Sequence, residues 1–376
     1  MEYTDDQRRA IDAITQHWNN RGELLTLGGY AGTGKTTVVS ESIKHVGKER
    51  KPTAYCAYTG KASSVLGRKL RERNALGSAD YCGTIHALIY VPILDDRGEV
   101  EDWELNPSLD YERIVIDEAS MVTAEIFDDL RSFGIPILAV GDHGQLPPVG
   151  GSFHLMDDPQ ITLTTICRQD ADNPIIRLAS MARNGERIPV KNYGPGIFRT
   201  ADKNILDKVK DFSECMVICG YNKSRHTKNQ IIRKRLGFTD PEPMIGDKVI
   251  CLQNNRKAGI YNGMIGKILK IRESGKFQYE TTVEMDNGES METDRLCLPM
   301  MRSMFGSSTK PEDYQRWMGE LFDFGYALTV WKAQGSEAKN VVFFPERMPM
   351  ATDDDYNRFL YTGITRAQQK LIIAGR

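Results

Sequence analysis

Between an apolar run at Leu24-Leu-Thr-Leu27 and a helical pattern over residues 35–46 lies Gly29-Tyr-Ala-Gly-Thr-Gly-Lys-Thr36, and this loop restricts the fold more than anything else in the chain. Glycines spaced in this way let backbone N–H groups close around phosphate oxygens, and the helix that follows points the positive end of its dipole at the same spot. Such a loop needs a strand before it and a helix after it, so it begins a parallel sheet with crossover helices. Lys35 can then neutralise β- and γ-phosphate charge, and the Thr36 hydroxyl can hold Mg2+. Gly29, Ala31, Gly32, Thr33, Gly34 and Thr37 complete the expected lining, with ATP as the ligand. A dinucleotide fingerprint fits worse, because Thr37 stands where its third glycine belongs.

The rest of the chain repeats the same rhythm. Apolar runs at 53–57, 113–116 and 135–140 alternate with helical patterns at 61–73 and 123–132, up to about residue 168. A run at 216–219 and a helix over 223–236 resume it, and further runs follow at 326–330, 341–344 and 371–374. A chain of 376 residues exceeds one hydrophobic core. The expected fold is therefore α/β with two parallel-sheet lobes, the first over 1–168 and the second over 169–245 plus 326–376. Residues 246–325 interrupt the second lobe with strand-like runs at 248–252, 266–271 and 279–285 and the turn signal Asp286-Asn287-Gly288, which predicts a small β-barrel. A helix presenting Tyr314, Trp317, Met318, Leu321 and Phe322 on one packing face is expected next. A second insertion, 87–110, places Asp95-Asp-Arg-Gly98 between two apolar stretches and reads as a hairpin.

Composition narrows the setting. The net charge of −2 gives no bulk attraction for nucleic acid, so any such partner must be met by a local groove. Seven scattered cysteines without a Cys-x-x-Cys pair argue against a disulfide framework or a zinc site and fit a reducing cytosol. The charged start of the chain is unlike a secretory signal, and no apolar run reaches membrane-spanning length; a soluble, cytoplasmic protein is expected.

Ile114-Val-Ile-Asp117-Glu118 supplies a second half for the nucleotide site. A strand ending in paired carboxylates sets Asp117 beside the metal and Glu118 where it can orient or deprotonate a water. The loop Gly141-Asp-His-Gly-Gln145-Leu-Pro-Pro follows another apolar strand, and Gln145 can sense the γ-phosphate from there. Arg168 and Arg366 are open to two readings, as surface ion pairs or as cations that meet charge developing in phosphoryl transfer.

Taken in order, Thr4-Asp-Asp-Gln7, the glycine loop, Tyr58-Thr-Gly-Lys-Ala62, Gly83-Thr-Ile-His86, Asp117-Glu-Ala-Ser120, the Gln145 loop, Tyr326-Ala-Leu-Thr-Val-Trp-Lys-Ala-Gln-Gly335 and Tyr361-Thr-Gly-Ile-Thr-Arg-Ala367 resemble the motifs of superfamily 1 helicases. The resemblance spans nearly the whole chain, weakly in the two insertions, and points to the RecD-like and Dda-like branch, whose members travel 5′ to 3′. It implies two RecA-like lobes, ATP bridging them, and a grip on single-stranded DNA in each lobe that turns closure into stepping. By this resemblance Arg168 and Arg366 are arginine fingers, and Gly335 and Glu337 join the nucleotide-binding set. Gln7 would read the adenine edge, although Thr4-x-x-Gln7 is equally a capping box for the first helix. Thr59, Lys61, Thr84 and His86 match first-lobe DNA contacts, and Asn222, Thr329 and Lys332 match second-lobe ones. For the threonines a helix cap is the competing role, and for His86 a satisfied core position. Trp331 departs from the His that many members carry there; an indole can stack on a base but cannot accept a hydrogen bond, and a core role is the alternative. The 87–110 insertion corresponds to a strand-separating pin, with Trp103 as its wedge. The basic stretch containing Arg225, His226, Lys228, Arg233, Lys234 and Arg235 reads as a solvated helix face.

The leading expectation is a monomeric ATP-dependent DNA helicase, acting in replication, repair or recombination of a bacterial or phage-infected cell. A translocase that remodels nucleoprotein without unwinding, and an ATP-gated subunit of a recombination complex, are the competing readings. A nuclease is disfavoured, since the chain has no Pro-Asp dipeptide to open the common nuclease pattern.

Overall fold

The computed structural model describes residues 3–45, 52–94, 100–147, 153–166, 173–253, 255, 260, 262–286, 294–306 and 318–375. The chain divides into two units, Met1–Asp172 and Asn173–Arg376. No helix among the described residues is long and apolar enough to cross a membrane.

In the first unit α1 (Asp5–Asn19) starts at Thr4, whose hydroxyl accepts the Gln7 N–H while Gln7 Oε1 accepts the Thr4 N–H. Its buried face, Ala10, Ile11, Ile14 and Trp18, covers one side of a sheet. Each large apolar side chain so buried contributes about 1.5–3 kcal/mol. The elements that follow are β1 (Leu24–Gly29), α2 (Lys35–His45), β2 (Thr53–Ala57), α3 (Gly60–Glu72), β3 (Tyr81–Thr84), α4 (Ile85–Ile89), β4 (Tyr90–Leu94), β5 (Val100–Leu105), β6 (Arg113–Asp117), α5 (Ala124–Ser132), β7 (Ile137–Gly141) and β8 (Ile161–Leu163). Six strands form a parallel sheet in the order β3-β2-β6-β7-β1-β8. Alternate residues serve its two faces. Leu27, Tyr55, Val115 and Leu138 pack with α1, α2 and α3, while Ala54, Cys56, Ile114, Ile116 and Ala139 pack with α4 and α5. β4 and β5 stand apart as an antiparallel hairpin, with Pro92 opposite Trp103, within the insertion expected at 87–110; the turn at 95–98 lies outside the described residues.

The second unit contains α6 (Pro174–Arg183), β9 (Asn192–Gly194), β10 (Ile197–Thr200), β11 (Cys215–Cys219), α7 (Asn222–Arg235), β12 (Lys248–Cys251), β13 (Ile265–Ser274), β14 (Gln278–Asp286), β15 (Asp294–Met301), β16 (Phe322–Phe324), β17 (Ala327–Thr329), α8 (Val330–Ala333), β18 (Ala338–Phe343), α9 (Asp353–Ile364) and β19 (Ala367–Ala374). Its main sheet runs β17-β11-β18-β19-β10-β9, parallel except at β9. The interruption is a five-stranded antiparallel sheet, β15-β14-β13-β12-β16, around Val249, Ile268, Val283, Met300 and Phe322. A single bridge between Met300 and Glu320 joins its two edges. Asn287 and Gly288 of the expected turn lie outside the described residues.

Two expectations require correction. Of the face expected over 314–322, Tyr314 and Trp317 lie outside the described residues, but Leu321 and Phe322 are not helical. Phe322 opens β16, and Gly319, at φ +115°, has its α-carbon so near the Met300–Met301 peptide that a Cβ there would sit 2.7 Å from it. Strand pairing of Glu320 and Phe322 outweighs the local helical spacing. Nor is α7 simply a solvated face. Arg225 and Arg233 are 1% and 3% exposed, the first bound to Asp323 at 2.6 Å and the second forked onto Asp247 at 2.9 Å through both Nε and Nη2. The charges that looked free in sequence pin α7 to the inserted sheet.

Candidate functional site

Because neighbouring strands of the first sheet are parallel, the carboxyl ends of β1, β7 and β6 share one edge. The glycine loop leaves β1, with Gly32 and Gly34 at φ +80° and +83°, and leads into α2. A Cβ on Gly29 would fall 2.6 Å from Thr33 Oγ1 and 3.2 Å from Lys35 Cγ, so only glycine leaves the loop this closed. Lys35 Nζ donates to the carbonyls of Gly29, at 2.7 Å, and Tyr30, at 3.2 Å, which holds it over the loop. Thr36 and Thr37 lie in the first turn of α2 and are half-buried, as are Ala31 and Gly32. Buried Thr33 donates its hydroxyl to the Tyr30 carbonyl, and its own carbonyl accepts Gln7 Nε2 at 2.9 Å. Gln7 therefore braces the loop as well as capping α1, and it is 4% exposed. Beside it Asp6 accepts the backbone N–H of Thr164 and Thr165, both at 2.9 Å.

One strand, β7, separates β1 from β6. Two strand spacings, about 10 Å, thus lie between the loop strand and the Asp117–Glu118 strand, enough for a terminal phosphate, a cation and a water. Asp117 Oδ1 accepts the Glu118 N–H at 3.0 Å, and Glu118 takes the left-handed conformation (φ +52°, ψ +40°), a strained geometry for a residue with a side chain. From β7, the intervening strand, comes the Gln145 loop. Asp142 shapes it by accepting the N–H of Gly144 and Gln145, and His143 packs on Tyr30 of the glycine loop with ring centroids 4.2 Å apart. Gln145 Oε1 is buried and meets no hydrogen-bond donor among the described residues; the same holds for Ser120 Oγ after β6. A closed N–H cradle, one lysine, a hydroxyl, a carboxylate and an orphaned buried amide oxygen on one sheet edge fit a nucleoside triphosphate with a divalent cation.

In the second unit three expected nucleotide residues come together. Arg366 is 4% exposed and donates to the carbonyls of Thr362, at 3.0 Å, and Ser336, at 3.4 Å, and to Thr365 Oγ1. Gly335 precedes Ser336, and Glu337 follows it and accepts from Gln368 at 2.9 Å. Arg366 is therefore folded against its own unit. Arg168 lies outside the described residues.

Thr59, Thr84 and Thr329 all prove to be helix N-caps. Their hydroxyls accept the N–H of Ala62, Ala87 and Lys332 at the starts of α3, α4 and α8. A capping hydroxyl still has its own O–H to donate. Lys61 is half-buried in the first turn of α3, and Asn222, exposed, begins α7. His86 lies 5.8 Å from the rings of both Tyr58 and Tyr90. Trp331 is half-buried with its ring 5.9 Å from Phe359. Burial pushes Lys332 down to about 8, with nearby Arg225 adding to the effect and Asp323 opposing it. Trp103 is 40% exposed on the hairpin. Sequence reasoning missed Asp6, Asp247, Asp323 and Glu346; single acidic residues carry no local signal that separates a buried anchor from a surface charge.

The two α/β sheets and the phosphate loop define a P-loop nucleotide-binding protein. Residues 2–195, over half of the chain, match the family model of the AAA domain, and residues 324–374 match that of the UvrD-like helicase C-terminal domain. The chain belongs to the RecD-, Pif1- and Dda-like superfamily 1 helicase family built on that domain. It is 28% identical to the ATP-dependent RecD2 DNA helicase of Deinococcus radiodurans across 99% of this chain and 49% of that protein. It is 26% identical to the ATP-dependent DNA helicase dda of Enterobacteria phage T4 across 66% of this chain and 61% of that one. The chain thus spans less than two thirds of either relative. Among solved structures, Pif1 helicase from Bacteroides in complex with ADP-AlF3 and ssDNA shares the fold, with a TM-score of 0.61 at 18% identity over 99% of this chain and 92% of that one.

Proposed function

We propose that this protein is an ATP-dependent DNA helicase that moves 5′ to 3′ on single-stranded DNA and separates duplex ahead of it. The observation that carries the reading is the shared edge of β1, β7 and β6, which gathers the glycine loop, Gln145 and Asp117–Glu118. Bound ATP with Mg2+ supplies the phosphoanhydride bond whose hydrolysis drives the motor. Lys35 and the N–H groups of residues 29–37 hold the phosphates, Thr36 and Asp117 hold the cation, and Gly335 and Glu337 complete the nucleotide set. Glu118 accepts the proton of the attacking water, Gln145 orients that water, and Arg168 and Arg366 meet the charge that grows on the terminal phosphate. Gln7 holds the loop and reads the adenine edge.

Thr59, Lys61, Thr84 and His86 in the first unit, with Asn222, Thr329 and Lys332 in the second, form the track. They are donors suited to phosphate oxygens and carry no sequence readout. Trp103, exposed on the β4–β5 hairpin, is the wedge. A cytoplasmic, monomeric protein that meets replication or recombination partners at duplex junctions completes the reading.

Unwinding of otherwise identical duplexes bearing only a 5′ or only a 3′ single-stranded tail tests it. ATP-dependent separation is expected on the 5′-tailed substrate alone. Separation confined to the 3′-tailed one removes the polarity, and ATP turnover without separation of either leaves a translocase.

A further inference from the structure

Tyr221 occupies the N-cap of α7, where a short side chain that accepts a backbone N–H is the general rule. Its own side chain makes no capping bond. Glu346 instead fixes the backbone that leads into the helix, from across the chain. Its Oε2 accepts the N–H of Gly220 at 2.9 Å and of Tyr221 at 3.3 Å, and its Oε1 accepts Ser224 Oγ at 2.5 Å and Lys228 Nζ at 3.4 Å. A carboxylate thus already occupies the N–H groups of Gly220 and Tyr221, so these two take up no nucleic-acid phosphate. Without a capping bond, position 221 carries an aromatic ring that is 38% exposed. The ring is also held: its hydroxyl donates to the Arg347 carbonyl at 3.0 Å, and the backbone beneath it is fixed by Glu346. A packing role would bury the ring. The second exposed aromatic among the described residues of this unit, Phe277, lies between β13 and β14 of the inserted sheet, away from the main one.

The place of Tyr221 gives the ring a purpose. It follows β11, whose neighbour β17 ends at Thr329. In the first unit β2 is followed by Thr59, and its neighbour β3 ends at Thr84. We propose that Tyr221 is a base-stacking residue of the single-stranded DNA track, supplying through a ring face the contact that Thr59 supplies through a hydroxyl. The inference rests on the single-stranded DNA reading above. Stacking is tolerant of sequence, because every base offers a π-face.

The experiment compares binding of oligothymidylate and of an abasic strand of equal length, about 12 nucleotides, to the intact chain and to Tyr221→Ala and Tyr221→Phe, by fluorescence anisotropy. Tyr221→Ala should raise Kd for oligothymidylate about 5- to 100-fold and leave Kd for the abasic strand unchanged. Tyr221→Phe should stay near the parent on both strands. Equal losses on the two strands, no loss on either, or a Tyr221→Phe loss as large as that of Tyr221→Ala would each overturn the stacking role. If the parent protein binds neither strand, the track reading itself fails and the inference goes with it.

Discussion

Asp6 is 5% exposed, and donors surround its carboxylate: the Thr4 hydroxyl and the backbone N–H groups of Gln7, Thr164 and Thr165. Burial alone would raise its pKa, but these hydrogen bonds prevail and bring it down to about 2. A carboxylate whose folded pKa lies below its unfolded value contributes stability that is complete above the unfolded value and is lost as pH falls through the folded one. The window here runs from about pH 4 down to about pH 2. Asp6→Asn should therefore cost about 2 kcal/mol at pH 7, a difference that closes on acidification and is read by urea denaturation at both ends of the window. A constant offset across pH would remove the charge from the explanation. None of this was legible beforehand. An acid in the first turn of a helix already has a local reason to be there, in the helix dipole, and nothing nearby in sequence announces Thr164. The positions of Lys35, Asp117 and Glu118 were legible because the apolar strands they follow or end were legible.

Most elements could be placed from apolar periodicity, since a strand buried on both faces needs a continuous apolar run, and 53–57 matches β2 residue for residue. Charge burial could not be placed this way. Arg225 and Asp323 are 98 residues apart in sequence, and no local pattern couples them. The Arg233 fork is denser still: besides Asp247 it donates to the carbonyls of Asp240 and Glu242 at 2.7 Å and lies 4.0 Å from the Phe324 ring. Removing it strands a wholly buried carboxylate. Arg233→Ala should lower stability by about 3–5 kcal/mol in urea denaturation, and Arg233→Lys should recover little of it, because an ammonium cannot fork. A loss below about 1 kcal/mol would mean that Tyr326 and Met244, which also donate to Asp247, suffice on their own.

Across the molecule the two main sheets repeat a plan that the residues themselves do not. In each, an outer strand ends at a capping threonine, Thr84 or Thr329, and the next strand inward leads to Thr59 or Tyr221. The equivalence lies in topology, which is why no sequence repeat betrayed it. If the track consists of these groups, it is mostly hydroxyl and amide, with Lys61 and Lys332 as its cations. Each neutralised phosphate contributes about −0.7 to the slope of log affinity against log salt, so a slope near −1.4 is expected in an anisotropy titration with oligothymidylate. A slope steeper than about −4 would reveal a cationic groove that these residues do not form.

The interval from the glycine loop to Asp117 has a further meaning. It is measured out by peptide groups, since β7 is hydrogen-bonded to β1 on one side and to β6 on the other. Side-chain substitutions in the strands can weaken that ruler, but they cannot shorten it. Changes in chemistry at this edge must therefore come from the side chains at the strand ends and from the loops, while the gap they work across stays constant.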